Sequence, residues 1–366
     1  MKILKQMAGV TGGSRNTINK KVKRFFINCL LGIFVICSPA YLFAQADIHF
    51  SQFYETSILR NPALTGIFGD DYKLGAYYRN QWNSISNPFS TFLVTAETHV
   101  QVRETSEDFI SFGLLSYYDK AGSIDQKITT FYPAINYNKS LDPNHNRFLS
   151  VGVTGGYNQY SFDPSKATFN NQYQGGKYNP ANPSLENLPN AKMTLWDLGA
   201  GVNFNTSTGE GNNVTYIIGV SAYHFTQPKF TYYQKDGITE NMRVNGNATL
   251  SCVLSDKVSF QAHGNYALQG TYREIMLGGI LNWTQQSQGA NDVFVISAGA
   301  FYRLGDAIAP VVKVNYMSIA VGISYDVNIS SLKEASNMQG GFEMTLFYRG
   351  NYSDKSLAKK TVCPRF

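Results

Sequence analysis

The chain has 366 residues, with 31 Lys and Arg against 25 Asp and Glu, a net charge of +6, and only 15% charged residues beside 24 Tyr, 24 Phe and 32 Gly. Seven of the basic residues (Lys2, Lys5, Arg15, Lys20, Lys21, Lys23 and Arg24) lie in the first 44 positions, where no acid occurs. Without them the balance is 24 against 25, so the basic character argues for an address rather than for nucleic-acid binding.

Residues 1–44 carry a basic start, an apolar run from Phe25 to Ile36 broken by Asn28 and Gly32, and then small residues near Ala44 and Ala46. This order predicts a cleaved signal peptide over 1–44. The apolar run is about 12 residues, short of the roughly 20 that a helical span needs. Cys29 and Cys37 lack the small residues of a lipoprotein box, so no lipid anchor is expected. No apolar run of 18 or more occurs after the leader, so membrane residence would have to use strands.

Residues 45–71 differ in pattern from the strands after them. Asn61 caps a turn or short helix, Pro62 takes its first position and Gly66 stops it. Ile58, Leu59, Ala63, Leu64 and Ile67 need burial. The expectation is a segment that begins in the periplasm and either plugs a lumen or forms a docking arm. Asp70-Asp71 looks like the turn into the first strand.

From residue 72 the pattern is period two. Ile319, Val321, Ile323, Tyr325, Val327 and Ile329 alternate with small or polar residues, and Phe342, Met344, Leu346 and Tyr348 repeat this. About fourteen strands are expected, near 72–82, 90–100, 108–118, 125–138, 147–160, 192–205, 214–224, 241–254, 258–269, 272–284, 292–304, 310–317, 318–329 and 341–349. Most have the length of a tilted strand crossing a bilayer. One set of connections is short. The other holds long loops at 161–191, 225–240 and 330–340. The predicted fold is therefore all-β: an antiparallel transmembrane β-barrel over 72–349, with long loops outside and a tail at 350–366 left in the periplasm. The loop 161–190 has six Asn, four Pro and two Gly, so it should be irregular and exposed.

Catalytic patterns are missing. His49, His99, His145, His224 and His263 stand singly, without the spacing of a zinc motif. There is no nucleophile elbow, Walker loop or EF-hand. Neither an enzyme, a cofactor nor a metal is expected. Arg303 and Asp306 flank Gly305 in a turn where a salt bridge is the ordinary reading. Asp326 and Glu343 alternate into the lumen. Cys252 and Cys363 are the cysteines beyond the leader; a disulfide and two free thiols both remain open.

Several segments together resemble the PorP/SprF family of Bacteroidetes outer-membrane proteins. These are QADIHFSQFYETSILRNPALTG and YKLGAYYRNQW near the start, FYRLGDAIAPVVKV at 301–314, IAVGISYDVNISSL at 319–332, GGFEMTLFYR at 340–349 and the terminal CPRF. The resemblance spans about 45–366. It marks Asn61, Pro62, Gly66, Arg303, Gly305, Asp306, Tyr325, Asp326, Cys363, Pro364 and Phe366 as signature positions. It implies the outer membrane and the type IX secretion system. Implied partners are secreted surface proteins with C-terminal sorting domains, gliding adhesins among them, other secretion or periplasmic components, and outer-membrane lipid. The competing expectation is a channel for small or hydrophobic solutes.

Overall fold

The computed structural model describes residues 47–81, 88–103, 106–188, 190–232, 238–286, 293–334 and 336–352. The leader and the Cys363, Pro364 and Phe366 tail positions lie outside the described residues. Sixteen strands occur among them: β1 (Tyr72–Gln81), β2 (Phe89–Arg103), β3 (Ser106–Ala121), β4 (Gln126–Ser140), β5 (Arg147–Ser161), β6 (Tyr173–Gln174), β7 (Lys177–Tyr178), β8 (Lys192–Thr208), β9 (Val214–Tyr223), β10 (Arg243–Ser255), β11 (Val258–Gln269), β12 (Tyr272–Gln286), β13 (Val293–Arg303), β14 (Ala307–Tyr316), β15 (Ile319–Asn328) and β16 (Gln339–Gly350). Fourteen form one closed antiparallel barrel, with β1 paired to both β2 and β16. The pair β6 and β7 is a small hairpin inside the 162–191 loop.

Closure satisfies every strand edge, which hydrocarbon demands because it offers no hydrogen bonds. The alternation read from sequence is realised in three dimensions. In β16, Phe342, Met344, Leu346 and Tyr348 are exposed on the outer wall, while Glu343, Thr345 and Phe347 are buried inside. In β14, Ile308 and Val312 face out, and Ala307, Ala309, Val311 and Lys313 face in. Tyr72, Tyr348 and Tyr352 cluster at one rim with centroids 5.5 to 6.1 Å apart, as in an interfacial aromatic girdle. β14 begins at Ala307 rather than at 310, which shortens the turn after β13 to residues 304–306. The long loops, at 162–191, 224–242 and 329–338, share one rim, here called the outer rim.

The lumen is occupied by residues 47–71. This segment is built of short turns: a 3-10 turn at Phe53–Glu55, one α-helical turn at Ser57–Arg60 and a 3-10 turn at Pro62–Leu64. Its apolar side chains anchor three sectors of wall. Phe50 and Ile58 pack with Tyr77, Leu93, Leu115 and Phe347. Phe53 packs with Met276, Ile280 and Phe301, and Leu64 and Ile67 with Phe109, Phe148 and Ile217. Each such side chain contributes about 1.5–3 kcal/mol on burial.

The direction of the segment corrects the sequence expectation. Asp47 lies at the outer rim, where its N–H donates to Gln269 Oε1 (3.1 Å) at the end of β11. Asp71 lies at the opposite rim, donating to the Gly350 carbonyl (2.9 Å). From Asp47 to Asp71 the segment therefore runs through the lumen from the rim that bears the long loops to the opposite rim. The polar groups that hold residue 47 come from strand ends nearly two hundred positions away.

Candidate functional site

The segment 47–71 and the wall meet through buried charge. Arg79 of β1 reaches Asp326 (3.2 Å) and Glu343 (3.3 Å), and Arg303 of β13 reaches Asp326 (2.5 Å) and Asp306 (2.6 Å). The segment completes this network. Arg79 also donates to the His49 carbonyl. Ser51 Oγ donates to Asp326 (2.5 Å), and the Ser51 and Gln52 amides donate to Glu343 (2.6 and 3.0 Å). Further along, Glu55 pairs with Lys313, and Glu97 accepts from the Gly66 amide (2.9 Å) while pairing with Lys73 (3.1 Å). Arg60 donates to the carbonyls of Ala248 (3.1 Å) and Gly264 (3.0 Å) and lies over the Phe53 ring. Buried charges of this kind persist only when paired and hydrogen-bonded.

The signature residues take distinct places. Asn61 is fully buried; its Oδ1 accepts from the Ala63 amide (2.9 Å) as a cap, and its Nδ2 donates to Asn247 Oδ1 (2.9 Å) and the Val202 carbonyl (3.2 Å). Pro62 is the first residue of the turn, with its carbonyl so close to Gly152 that a Cβ there would collide. Gly66 has φ +72°, the left-handed region that favours glycine, and Ser111 fills the space a side chain would need. Arg303, Gly305 and Asp306 form the tight turn after β13, joined to Asp326 by the same ion network. Tyr325 is different: it is 40% exposed on the outer wall, away from its neighbour Asp326.

A second cluster closes the outer end of the lumen. His224, just after β9, places Nε2 2.8 Å from Asp47 and Nδ1 2.8 Å from Asp197, with Glu240 at 3.6 Å. Arg243 adds a 3.2 Å contact to Asp47. Burial disfavours a charged His224, but Asp47 and Asp197 outweigh it and push its pKa up to about 11. Burial pushes Glu240 up to about 7 against the pull of His224. Burial would also raise Asp47, but His224 and Arg243 hold its carboxyl well below the usual range. Asp47, His224 and Glu240 each offer a ligand atom within 4.8 Å of the others. They do not fit a metal ion: Arg243 occupies the same Asp47 oxygen, and the imidazolium already bridges two carboxylates.

This clasp carries a pH prediction. His224, raised from 6.5, stabilises fully below 6.5 and loses that contribution as pH climbs through about 11. Glu240, raised from 4.5, loses its contribution between 4.5 and about 7. Asp47, lowered from 3.8, loses its contribution only as pH falls below that value. Hydrogen-exchange protection of residues 47–50 should therefore be greatest near pH 4, between 3.8 and 4.5, and fall in steps toward about pH 11. Constant protection over that range would refute the clasp.

Comparison with known proteins decides the family. The type IX secretion system membrane protein PorP/SprF family matches residues 42–348. The chain belongs to the PorP/SprF family. Its location is accordingly the outer membrane, and neither family nor fold is that of an enzyme class. No curated protein matches the sequence. Among solved structures, this PorP/SprF chain is 9% identical to the Ralstonia pickettii toluene transporter TbuX (TM-score 0.50, covering 81% of this chain and 93% of that one). It is 8% identical to a TodX monoaromatic hydrocarbon channel mutant (TM-score 0.50, 81% and 94%) and 12% identical to a Pseudomonas aeruginosa FadL homologue (TM-score 0.46, 79% and 92%). At these identities the likeness is one of outer-membrane barrel fold.

Sequence reasoning misses most of this PorP/SprF site. Arg79 and Lys313 fall inside the segments YKLGAYYRNQW and FYRLGDAIAPVVKV but not among the signature positions, Asp197 and Glu240 lie outside every such segment, and His224 stands alone in the sequence. The available signal is a charge at an inward position of an otherwise uncharged strand, as at Lys313. Its partner Glu55 is 258 positions away, so the pairing itself has no local trace.

Proposed function

We propose that this PorP/SprF protein recognises secreted cell-surface proteins of the gliding-adhesin type, bearing C-terminal sorting domains, and anchors them or assists their secretion. Recognition would use the outer loops 162–191 and 224–242, with the leader 1–44 removed and the tail 350–366 facing periplasmic components. The observation that carries this reading is the contrast between a filled lumen and an elaborated outer rim. Residues 47–71 occupy the barrel interior, whereas Leu185 (79%), Tyr173 (55%) and Phe225 (50%) stand exposed on the loops. Exposed apolar side chains on irregular outer loops suit partner contact. The signature residues Asn61, Pro62, Gly66, Arg303, Gly305, Asp306 and Asp326 serve this role indirectly by locking the internal segment.

The test is affinity purification from native membranes. The intact protein should co-purify with a large secreted surface protein, and replacing 164–188 by a Gly-Ser linker should abolish that. Equal recovery with both proteins would refute loop recognition. A second reading, a channel for small or hydrophobic solutes gated by residues 47–71, is favoured by one feature: a cavity of about 380 Å³ at the outer mouth. Solute-dependent conductance of the intact protein would support it.

A further inference from the structure

The cavity at the outer mouth lies above the internal segment, between the outer ends of β1–β5 and the 224–242 loop. Its size, about 380 Å³, lies at the lower end of ligand pockets. Its walls include the rings of Phe89, Tyr117, Tyr160 and Phe230, and its acids include Asp119 and Glu240. Tyr160 and Phe230 meet edge to face, 5.0 Å apart, fixing one aromatic corner.

The charges around the cavity are unequally satisfied. Arg79, the cation in its lining, is consumed by Asp326, Glu343 and the His49 carbonyl. His224 and Arg243 are consumed by Asp47 and Asp197. Asp119 is only 8% exposed and accepts a hydrogen bond from Thr91 Oγ1 (2.5 Å), yet no cation pairs with it among the described residues. Glu240 is 7% exposed; its Oε1 accepts from Tyr160 (3.3 Å), while its Oε2 accepts no hydrogen bond and has only His224 Nδ1 at 3.6 Å, a nitrogen that Asp197 holds closer at 2.8 Å. Two buried carboxyls thus line one cavity, Asp119 with no paired cation among the described residues and Glu240 with only a share of His224, which Asp47 and Asp197 hold closer. Buried carboxylates of this kind call for a positively charged partner.

We propose that this cavity is a receptor for the cationic side chain of an arginine or lysine presented by an extracellular polypeptide, with Asp119 and Glu240 as its acceptors. The inference rests on the reading that the outer rim recognises secreted proteins. A flat guanidinium matches both parts of the site. It donates in pairs to carboxylates and stacks against aromatic rings.

The assay is calorimetric titration of the intact protein in detergent with N-acetyl-arginine methylamide, N-acetyl-lysine methylamide and the neutral N-acetyl-glutamine methylamide. Saturable binding of a cationic probe, with none for the neutral one, is expected. Asp119→Asn keeps an acceptor for Thr91 and should weaken binding roughly tenfold or more, the scale of a charged hydrogen bond. Glu240→Gln should do the same and serves as the second variant should Asp119→Asn misfold. Asp125→Asn, at a partly exposed acid already paired with Lys120 and Lys166, should leave affinity unchanged. No saturable heat with either cationic probe, or equal binding of the glutamine probe, overturns the assignment. So does calcium chloride displacing the bound probe, which would make the site one for an inorganic cation. Loop-dependent co-purification of a surface protein that survives any of these outcomes would mean that the pocket assignment alone has failed.

Discussion

Deleting residues 47–70 should turn a closed barrel into a conducting pore, seen as a large step increase in single-channel conductance in planar bilayers. A ring of fourteen strands encloses more room than its own inward side chains fill. Here the remainder is taken up by Phe50, Phe53, Ile58 and Leu64, all under 9% exposed, and by the backbone amides that bond to Glu343. Without them the inward wall keeps Asn136, Asn203, Asn245 and Thr249, polar groups that water can solvate. The barrel should therefore survive as a ring while its lumen floods, because its strand ladder closes without the segment. Heat-modifiable migration in gels checks that the ring persists. Unchanged conductance in a variant that still migrates as a barrel would rule out a plugging role.

Arg79→Ala should be the most damaging single substitution in the lumen. Its guanidinium is 2% exposed and lies between Asp326 and Glu343, each 1% exposed. Removing one partner of a buried pair leaves an uncompensated charge and costs about 3–5 kcal/mol. Arg303 would still hold Asp326, so the larger loss falls on Glu343, whose remaining donors are the Ser51 and Gln52 amides and the Ser324 hydroxyl. The double variant Arg79→Leu with Glu343→Leu should recover part of this loss, since both charges then leave together. Denaturant midpoints of the two variants, measured in detergent with proteolytic release of residues 47–52 as a second probe, decide the matter. A single variant as stable as the parent would show that the pair is solvated rather than buried.

The barrel was legible because its signal is local. Alternation of large apolar with small or polar residues has a period of two, and each strand repeats it regardless of what lies beside it. From Tyr72 to Gly350 most strand ends fall within three residues of the sequence expectation. The departures lie at the ends: β14 starts at Ala307 because the ladder to Arg303 continues up to a tight turn. Family membership was legible too, through segments whose turns and caps are short-range features, such as Asn61-Pro62 and Gly66. The sequence by itself thus determined an even ring of membrane strands, which faces meet lipid and which rim bears the long loops. Only the tertiary structure decided that residues 47–71 run inward from the outer rim, that Arg79 meets Asp326 across 247 positions and that His224 meets Asp47 across 177. The first of these contacts exists only once β1 has paired with β16, and the second only once the internal segment lies in the lumen beside β9, so ring closure and lumen filling, not any local pattern, bring those charges within a hydrogen bond of one another.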